Sequence, residues 1–293
     1  MAQGSIAYQF KTADIITKLI AINVIVFLAV TIVAALFQID AFSLIAWFVL
    51  PESIGNFITQ PWSLITYNFI HLGFLHILFN MLWLYFFGRY ITNLFSAKRF
   101  LTIYLLGGIV GGLLFMISYN VFPAFASANG VLYGASAAVM ALMGFSATYT
   151  PNAPIRIFTI NLKLWHIAVF FVLWDLISLS SLNNAGGILA HLGGALFGYI
   201  YARQLLKGKD IGSWFEKLMD SIANLFKPRE KKPFKKVHRN RATQSSSKRS
   251  MNKETKSDHQ KKVDLILDKI GKSGYESLTK EEKDFLFKAG KED

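Results

Sequence analysis

The sequence predicts an all-α polytopic membrane protein: a bundle of six transmembrane helices, both termini cytoplasmic, with a basic cytoplasmic tail. Three observations predict it. Apolar residues make up 53% of the 293 residues and charged ones only 17%, too apolar for an ordinary soluble domain. Six apolar stretches approach the roughly 20 residues that a helix needs to cross hydrocarbon. Lys and Arg are confined to alternate connections between them, and positive charge stays on the cytoplasmic side.

The six stretches are residues 19–37, 69–88, 100–119, 133–150, 164–182 and 186–202. Only Lys11 and Lys18 precede the first as basic residues. No small-residue cleavage site follows it, so it reads as an uncleaved helix rather than a signal peptide. Segments 38–66, 120–132 and 183–186 contain no Lys or Arg. Arg89 to Arg99, Arg156 to Lys163 and the two termini contain them all, which puts both termini inside and makes the number of spans even.

The connection 38–66 contains DAFSLIAWFVLPESIGNFITQPWSLIT. With two Trp and many apolar residues it is expected in the membrane interface rather than in bulk water. The connection 120–132, NVFPAFASANGVL, is also apolar. Irregular backbone at membrane depth has to be covered by protein or line a wet cavity.

Residues 1–206 form the membrane domain and hold eight Lys/Arg and four acids, leaving 23 of the 31 basic and 14 of the 18 acidic residues to 207–293. The net charge of +13 therefore describes mainly the tail, for which an anionic inner-leaflet surface is a nearer partner than nucleic acid; no nucleic acid is expected. In residues 207–227, Ile211, Trp214, Phe215, Leu218, Ile222, Leu225 and Phe226 fall on one helical face. This is the pattern of an amphipathic interfacial helix, or of one packed on the cytoplasmic loops. Residues 228–260 are polar and basic and read as a disordered linker. Residues 261–293 read as a small helical module: VDLILDKI stopped by Gly271, then a second helix opened by a Thr279–Glu282 capping box. The absence of cysteine excludes disulfides, thiolate chemistry and cysteine-held metals.

Strongly polar groups inside membrane spans are costly and are functional candidates by default. The body offers Asn23, His71, His76, Asn80, Ser136, Asp175 and His191. Counted from the cytoplasmic markers, His76 lies roughly 20 Å up, Ser136 roughly 22 Å and His191 roughly 18 Å. Three helices thus hold a serine and two histidines at one level. Gly134, Ala137, Ala138, Ala141 and Gly144 surround the serine, and Gly194 and Gly198 follow His191. Such small residues let two membrane helices pack backbone to backbone. A serine hydroxyl becomes a nucleophile when a neutral imidazole takes its proton. The oxyanion that forms needs preorganised donors, which His76, Asn80 and the Ser136 amide can supply; His76 and Asn80 share one face at i, i+4.

Taken singly, each residue has an ordinary explanation: a packing serine, a helix-tying histidine, a plain G-x-x-x-G contact. Their common depth outweighs those explanations. Asp175 could orient His191 as a third member, but its place at the outer end of a short helix favours hydrogen bonding to the Asn183–Asn184 loop. His71 is expected to brace the 38–66 loop, and His166 to lie at the cytoplasmic interface.

HLGFLHILFNMLWLYFFG, GASAAVMALMG and AHLGGALFG resemble the three motifs of the rhomboid intramembrane serine proteases. The pattern is His76 with Asn80, Gly134-Ala-Ser136, and Ala190-His191 with Gly194 and Gly198, and the resemblance covers about residues 15–205. It implies a six-helix bundle in which Ser136 and His191 are the catalytic dyad, with oxyanion roles for His76, Asn80 and the Ser136 amide. It implies no acidic third member, a structural role for His71, a membrane-embedded 38–66 loop, and a fifth helix that gates substrate. Three departures stand out: Ala137 where glycine is commoner, Met140 where some members have tyrosine, and Trp62-Ser63 where some have Trp-Arg. The implied activity is endopeptidase cleavage of transmembrane protein substrates through an acyl-enzyme. No metal or cofactor is expected, since the His-Glu-x-x-His signature is absent. A bacterial inner membrane is the expected location. Two rivals stand beside it: a non-catalytic rhomboid-like protein that binds membrane clients, and a transporter, which would show an inverted repeat or a polar path to the cytoplasmic side.

Overall fold

The computed structural model describes residues 6–125, 128–157, 159–180, 184–225 and 251–289. The chain divides into two compact units, residues 1–228 and 229–293. All six apolar stretches are helical in the first unit: α1 (Ile15–Phe37), α2 (Phe74–Thr92), α3 (Ala97–Val121), α4 (Ser136–Tyr149), α5 (Leu164–Leu179) and α6 (Ala185–Leu206). Of these, α1, α2, α3 and α6 are long and apolar enough to cross a membrane. With 14 and 16 residues, α4 and α5 extend only about 21 and 24 Å, short of a hydrocarbon layer about 30 Å thick.

The boundaries follow local chemistry. The Asp14 carboxylate caps α1 by accepting the Thr17 N–H at 2.8 Å, and Ser96 caps α3 by accepting from Arg99 at 3.3 Å, as such side chains do for orphan N–H groups. The expected fourth span starts at residue 133, but the helix starts at Ser136, after a turn through Gly134. That late start is what makes α4 short.

The core is centred on α4, which is buried on every side from Ala137 to Ala147, as expected of a helix without a polar face. By contrast α1 buries only Ile16, Leu19 and Asn23, and Asn23 donates to its own Leu19 carbonyl at 2.9 Å, away from the other polar candidates. The neighbours of α4 come in to backbone contact. A Cβ at Gly194 or Gly198 of α6 would strike the Ala137 or Ala141 carbonyl, and one at Gly144 of α4 would strike the Ala195 carbonyl. The third partner was not foreseen: α3 presents Gly107 to Ala141 and Gly111 to both Ala137 and the Ala190 carbonyl. The repeat Gly107-Gly108 to Gly111-Gly112 carried that signal in the sequence.

The 38–66 connection is ordered into short helices, Ala41–Ile45, Ile54–Thr59 and Ser63–Thr66, and a strand β1 (Leu50–Pro51). That strand pairs antiparallel with β2 (Val131–Leu132) of the other apolar connection, Leu50 opposite Leu132. Ile45, Val49, Leu50 and Tyr67 point inward, while Trp47, Phe48, Ile54, Ile58 and Trp62 face out. Side chains satisfy its backbone: Trp62 donates to the Trp47 carbonyl at 2.7 Å and Gln60 to the Val49 carbonyl at 3.1 Å. The Arg156 to Lys163 segment, read as a plain basic loop, is a hairpin of β3 (Pro154–Ile157) and β4 (Ile160–Lys163). Beside it, His166 caps α5 by accepting the Lys163 N–H at 3.2 Å.

After α6 comes α7 (Ser213–Leu225). Its acidic side is fixed to the start of α3: Arg99 pairs with Asp210 and with Glu216, the latter at 3.7 Å, and Lys98 pairs with Asp220 at 2.6 Å. Asp210 also accepts from the Tyr201 hydroxyl at 2.8 Å and the Gly212 N–H at 3.0 Å. Phe215 is buried, whereas Trp214, Leu218, Ile222 and Leu225 are exposed. The helix packs on the charged end of the bundle and keeps an apolar stripe exposed. Phe226 lies outside the described residues.

The second unit contains α8 (Met251–Ser273) and α9 (Lys280–Ala289). The expected disordered linker ran to residue 260, but 251–260 are helical; the stretch is free of Gly and Pro and rich in helix formers. The rest of that linker, 228–250, lies outside the described residues. Gly271 does not stop α8. Gly274, at φ +78°, does so by donating its N–H to the Ile270 carbonyl at 2.9 Å, the usual left-handed glycine terminus. The Thr279–Glu282 capping box forms in both directions, at 2.8 and 3.3 Å, and Lys269 of α8 reaches the Glu282 carboxylate at 2.8 Å.

Gly198→Val is expected to lower the thermal unfolding temperature in detergent, by overpacking worth about 1–3 kcal/mol or more. Gly55→Ala, whose Cβ would meet only Ser53 Oγ at 3.5 Å, is expected to leave it unchanged. A second expectation concerns α7. Partial burial opposes ionisation of Asp210, but the Tyr201 and Gly212 hydrogen bonds and the Arg99 charge outweigh it and hold the carboxyl below its ordinary value. A lowered folded-state value stabilises above the ordinary carboxylate pH and is lost as pH falls through the lowered value. Hydrogen exchange of 213–225, corrected for intrinsic rates, should therefore stay flat down to about pH 4 and rise below it. In Arg99→Ala it should already be fast at neutral pH.

Candidate active site

Ser136 is the first residue of α4, and Ala135 before it offers no side-chain cap. The first intrahelical bond runs from the Val139 N–H to the Ala135 carbonyl, 2.9 Å. The N–H groups of Ser136, Ala137 and Ala138 therefore have no acceptor within their own helix, and the positive end of the helix dipole lies at the serine. Ser136 itself is half-buried.

Three contacts fix the turn into this helix. The Gly134 N–H donates to the Tyr67 carbonyl at 2.9 Å. Tyr67, fully buried, donates its hydroxyl to the Gly108 carbonyl of α3 at 2.7 Å. The Ala135 N–H donates to Nε2 of His71 at 3.3 Å. His71 thus braces the turn ahead of the serine rather than the 38–66 loop. Tyr67 was missed in the sequence because nothing in its spacing distinguishes it from other interfacial aromatics.

Gly134 has φ +112°, and a Cβ there would lie 2.7 Å from both Cε1 and Nε2 of His76. Any L side chain would be strained by the backbone and blocked by that ring. The glycine is what lets the His76 imidazole reach the main chain two residues before Ser136. The His76 ring also lies 5.0 Å from that of His71 and 6.0 Å from that of Tyr133. Asn80, one turn further along α2, donates to the His76 carbonyl at 2.9 Å, so one of its two amide hydrogens is spent on its own helix.

His191 stands on α6 three residues before the Gly194–Ala137 contact, and His76 lies near it. No hydrogen bond joins Ser136 to His191 among the described residues. What His191 does contact is Asp175: Nδ1 lies 3.2 Å from Oδ2 and 3.4 Å from Oδ1. This corrects the expectation that Asp175 serves the Asn183–Asn184 loop. Asn184 turns over its own helix, against Gly187, and Asn183 lies outside the described residues. The direction of Asp175 depends on how α5 is rotated against α6, which counting along the sequence does not give.

The departures at the site have physical accounts. Gly111 leaves room for the Ala137 methyl, which would be 2.7 Å from a Cβ at that glycine. Met140 is buried in the core. Ser63 is fully buried.

The Rhomboid domain profile matches residues 59–208, 150 of the 293 residues, beginning after α1 and ending with α6. A family of unknown function, DUF6576, matches residues 250–289, the α8–α9 pair. RHOMBOID-like protein 12, mitochondrial, of Arabidopsis thaliana is 31% identical over 50% of this chain and 47% of its own. Rhomboid protein 1, mitochondrial, of Saccharomyces cerevisiae is 27% identical over 55% of this chain and 49% of its own. Rhomboid protease GluP of Bacillus subtilis is 26% identical over 55% of this chain and 29% of its own. The chain spans about half the length, or less, of these relatives. Two of the three carry mitochondrial names, so they lend no support to a bacterial inner membrane in particular. With the motif residues on the helices where the resemblance put them and the domain profile over just more than half its length, the chain belongs to the rhomboid family.

Proposed function

We propose that this chain is an intramembrane serine endopeptidase that cleaves transmembrane protein substrates through a Ser136–His191 dyad. One observation carries the reading. A serine begins a short apolar helix, and that helix is in backbone contact with the helix bearing His191. The hydroxyl would attack the scissile carbonyl while the imidazole takes its proton and returns it to the leaving amine. The negative charge on the carbonyl oxygen would develop beside the free N–H groups at the α4 terminus, with His76 and the second Asn80 amide hydrogen as further donors. Water would then release the acyl group. Catalytic hydrogen bonds are often long until the reacting complex forms, so the missing Ser–His bond does not oppose the assignment.

The chain is a multi-pass membrane protein, with four helices able to cross by length and composition. We read six spans, α4 and α5 completing the bundle, and both termini on the side that carries Arg89 to Arg99 and Arg156 to Lys163. The basic tail would lie near anionic lipids of that leaflet. The domain boundaries proposed are 1–206 for the membrane domain, 207–227 for the interfacial helix and 251–289 for the helical pair.

A second reading is a non-catalytic rhomboid-like protein that holds membrane clients. It draws on the absent Ser136–His191 bond and on the Asn80 amide committed to the His76 carbonyl. A fluorophosphonate probe separates the two. In detergent, wild type is expected to label, and Ser136→Ala and His191→Ala to lose labelling by roughly 100-fold or more. Labelling that survives Ser136→Ala removes the assignment, and none in wild type selects the second reading.

A further inference from the structure

We propose that Asp175 is a positioning residue for His191. Its carboxylate accepts the Nδ1–H, holds the tautomer whose Nε2 is unprotonated, and keeps that nitrogen available as the base for Ser136. The proposal rests on the hydrolase reading above and adds a third side chain to a site for which the family resemblance implies only two.

Three observations carry it. Both carboxylate oxygens lie within 3.4 Å of Nδ1. Asp175 is 7% exposed, and a carboxyl so placed in an apolar bundle needs a hydrogen-bond partner. It is also the one acidic residue between Glu52 and Asp210, so its position against the one histidine of α6 is not a by-product of a charged surface. The ionisable groups facing His191 are Asp175 from α5 and His76 from α2; His76 brings no fixed negative charge. A neutral imidazole has one N–H and one lone pair, and the partner of the first decides where the second points. An acceptor at Nδ1 leaves the lone pair at Nε2, the nitrogen on the far side of the ring from α5.

The test uses the full chain in detergent, with wild type, Asp175→Asn and Asp175→Glu. Fluorophosphonate labelling of Ser136 and steady-state cleavage of a transmembrane reporter are measured beside thermal unfolding. Asparagine can offer Nδ1 an N–H and so favour the wrong tautomer. Asp175→Asn is therefore expected to lower kcat and the labelling rate about tenfold or more at unchanged KM. Asp175→Glu should restore part of the loss. An unchanged rate in Asp175→Asn, or a loss confined to KM, overturns the proposal while the hydrolase reading stands. A wild type that does not label overturns both. Should the asparagine variant not fold, the 15N shifts of His191 in wild type, assigned against His191→Gln, decide. Protonation at Nδ1 supports the proposal, and protonation at Nε2 overturns it.

Discussion

The contact between α4 and α6 is made by glycines of one helix against carbonyl oxygens of the other, and most of the architecture depends on it. Gly194 and Gly198 lie on the Ala137 and Ala141 carbonyls, and Gly144 returns the contact to Ala195. Lipid tails give no hydrophobic reason for helices to meet, so association in a bilayer rests on van der Waals packing of small residues. Such a contact has almost no tolerance for side-chain volume. It fixes register as well as distance, because only one alignment puts three glycines on three carbonyls. That register sets Ser136 and His191 at one level, and α3 extends the same mesh through Gly107 and Gly111.

A second constraint is the shortness of α4. A helix of full membrane length would put its unsatisfied N–H groups in water, where they have partners and little chemical use. Stopped at Ser136, they lie within the bundle, where a developing negative charge would find them at low dielectric. The layer above is filled by irregular chain, which has to be satisfied internally. The β1–β2 pair, the Tyr67 carbonyl and His71 provide for part of that. The apolar connections thus act as the lid that makes a short helix possible.

Much of this was legible in the sequence because a bilayer imposes length and polarity rules that single residues obey. Six apolar stretches became six helices, and the small residues around Ser136 and after His191 marked the helices that come into backbone contact. What could not be read depends on rotation and on contact. The direction of Asp175 needed the azimuth of α5. The work of Tyr67 needed the path of two loops. Residues 251–260 of α8 are polar, which alone suggests disorder, but a polar stretch lacking Gly and Pro has no local obstacle to a helix. Gly274 and Gly271 show the same limit, since only the backbone angle tells which glycine ends the helix.

Lys98 and Arg99 hold α7 by its acids, and the order of synthesis gives that attachment a history. The two cations leave the ribosome more than a hundred residues before Asp210, Glu216 and Asp220. On the proposed topology they would be without those partners while α3 is inserted, and would hold their end of the helix on the side of synthesis. On the proposed topology the same charges would serve first as an address for the growing chain and later as a mooring for its finished end.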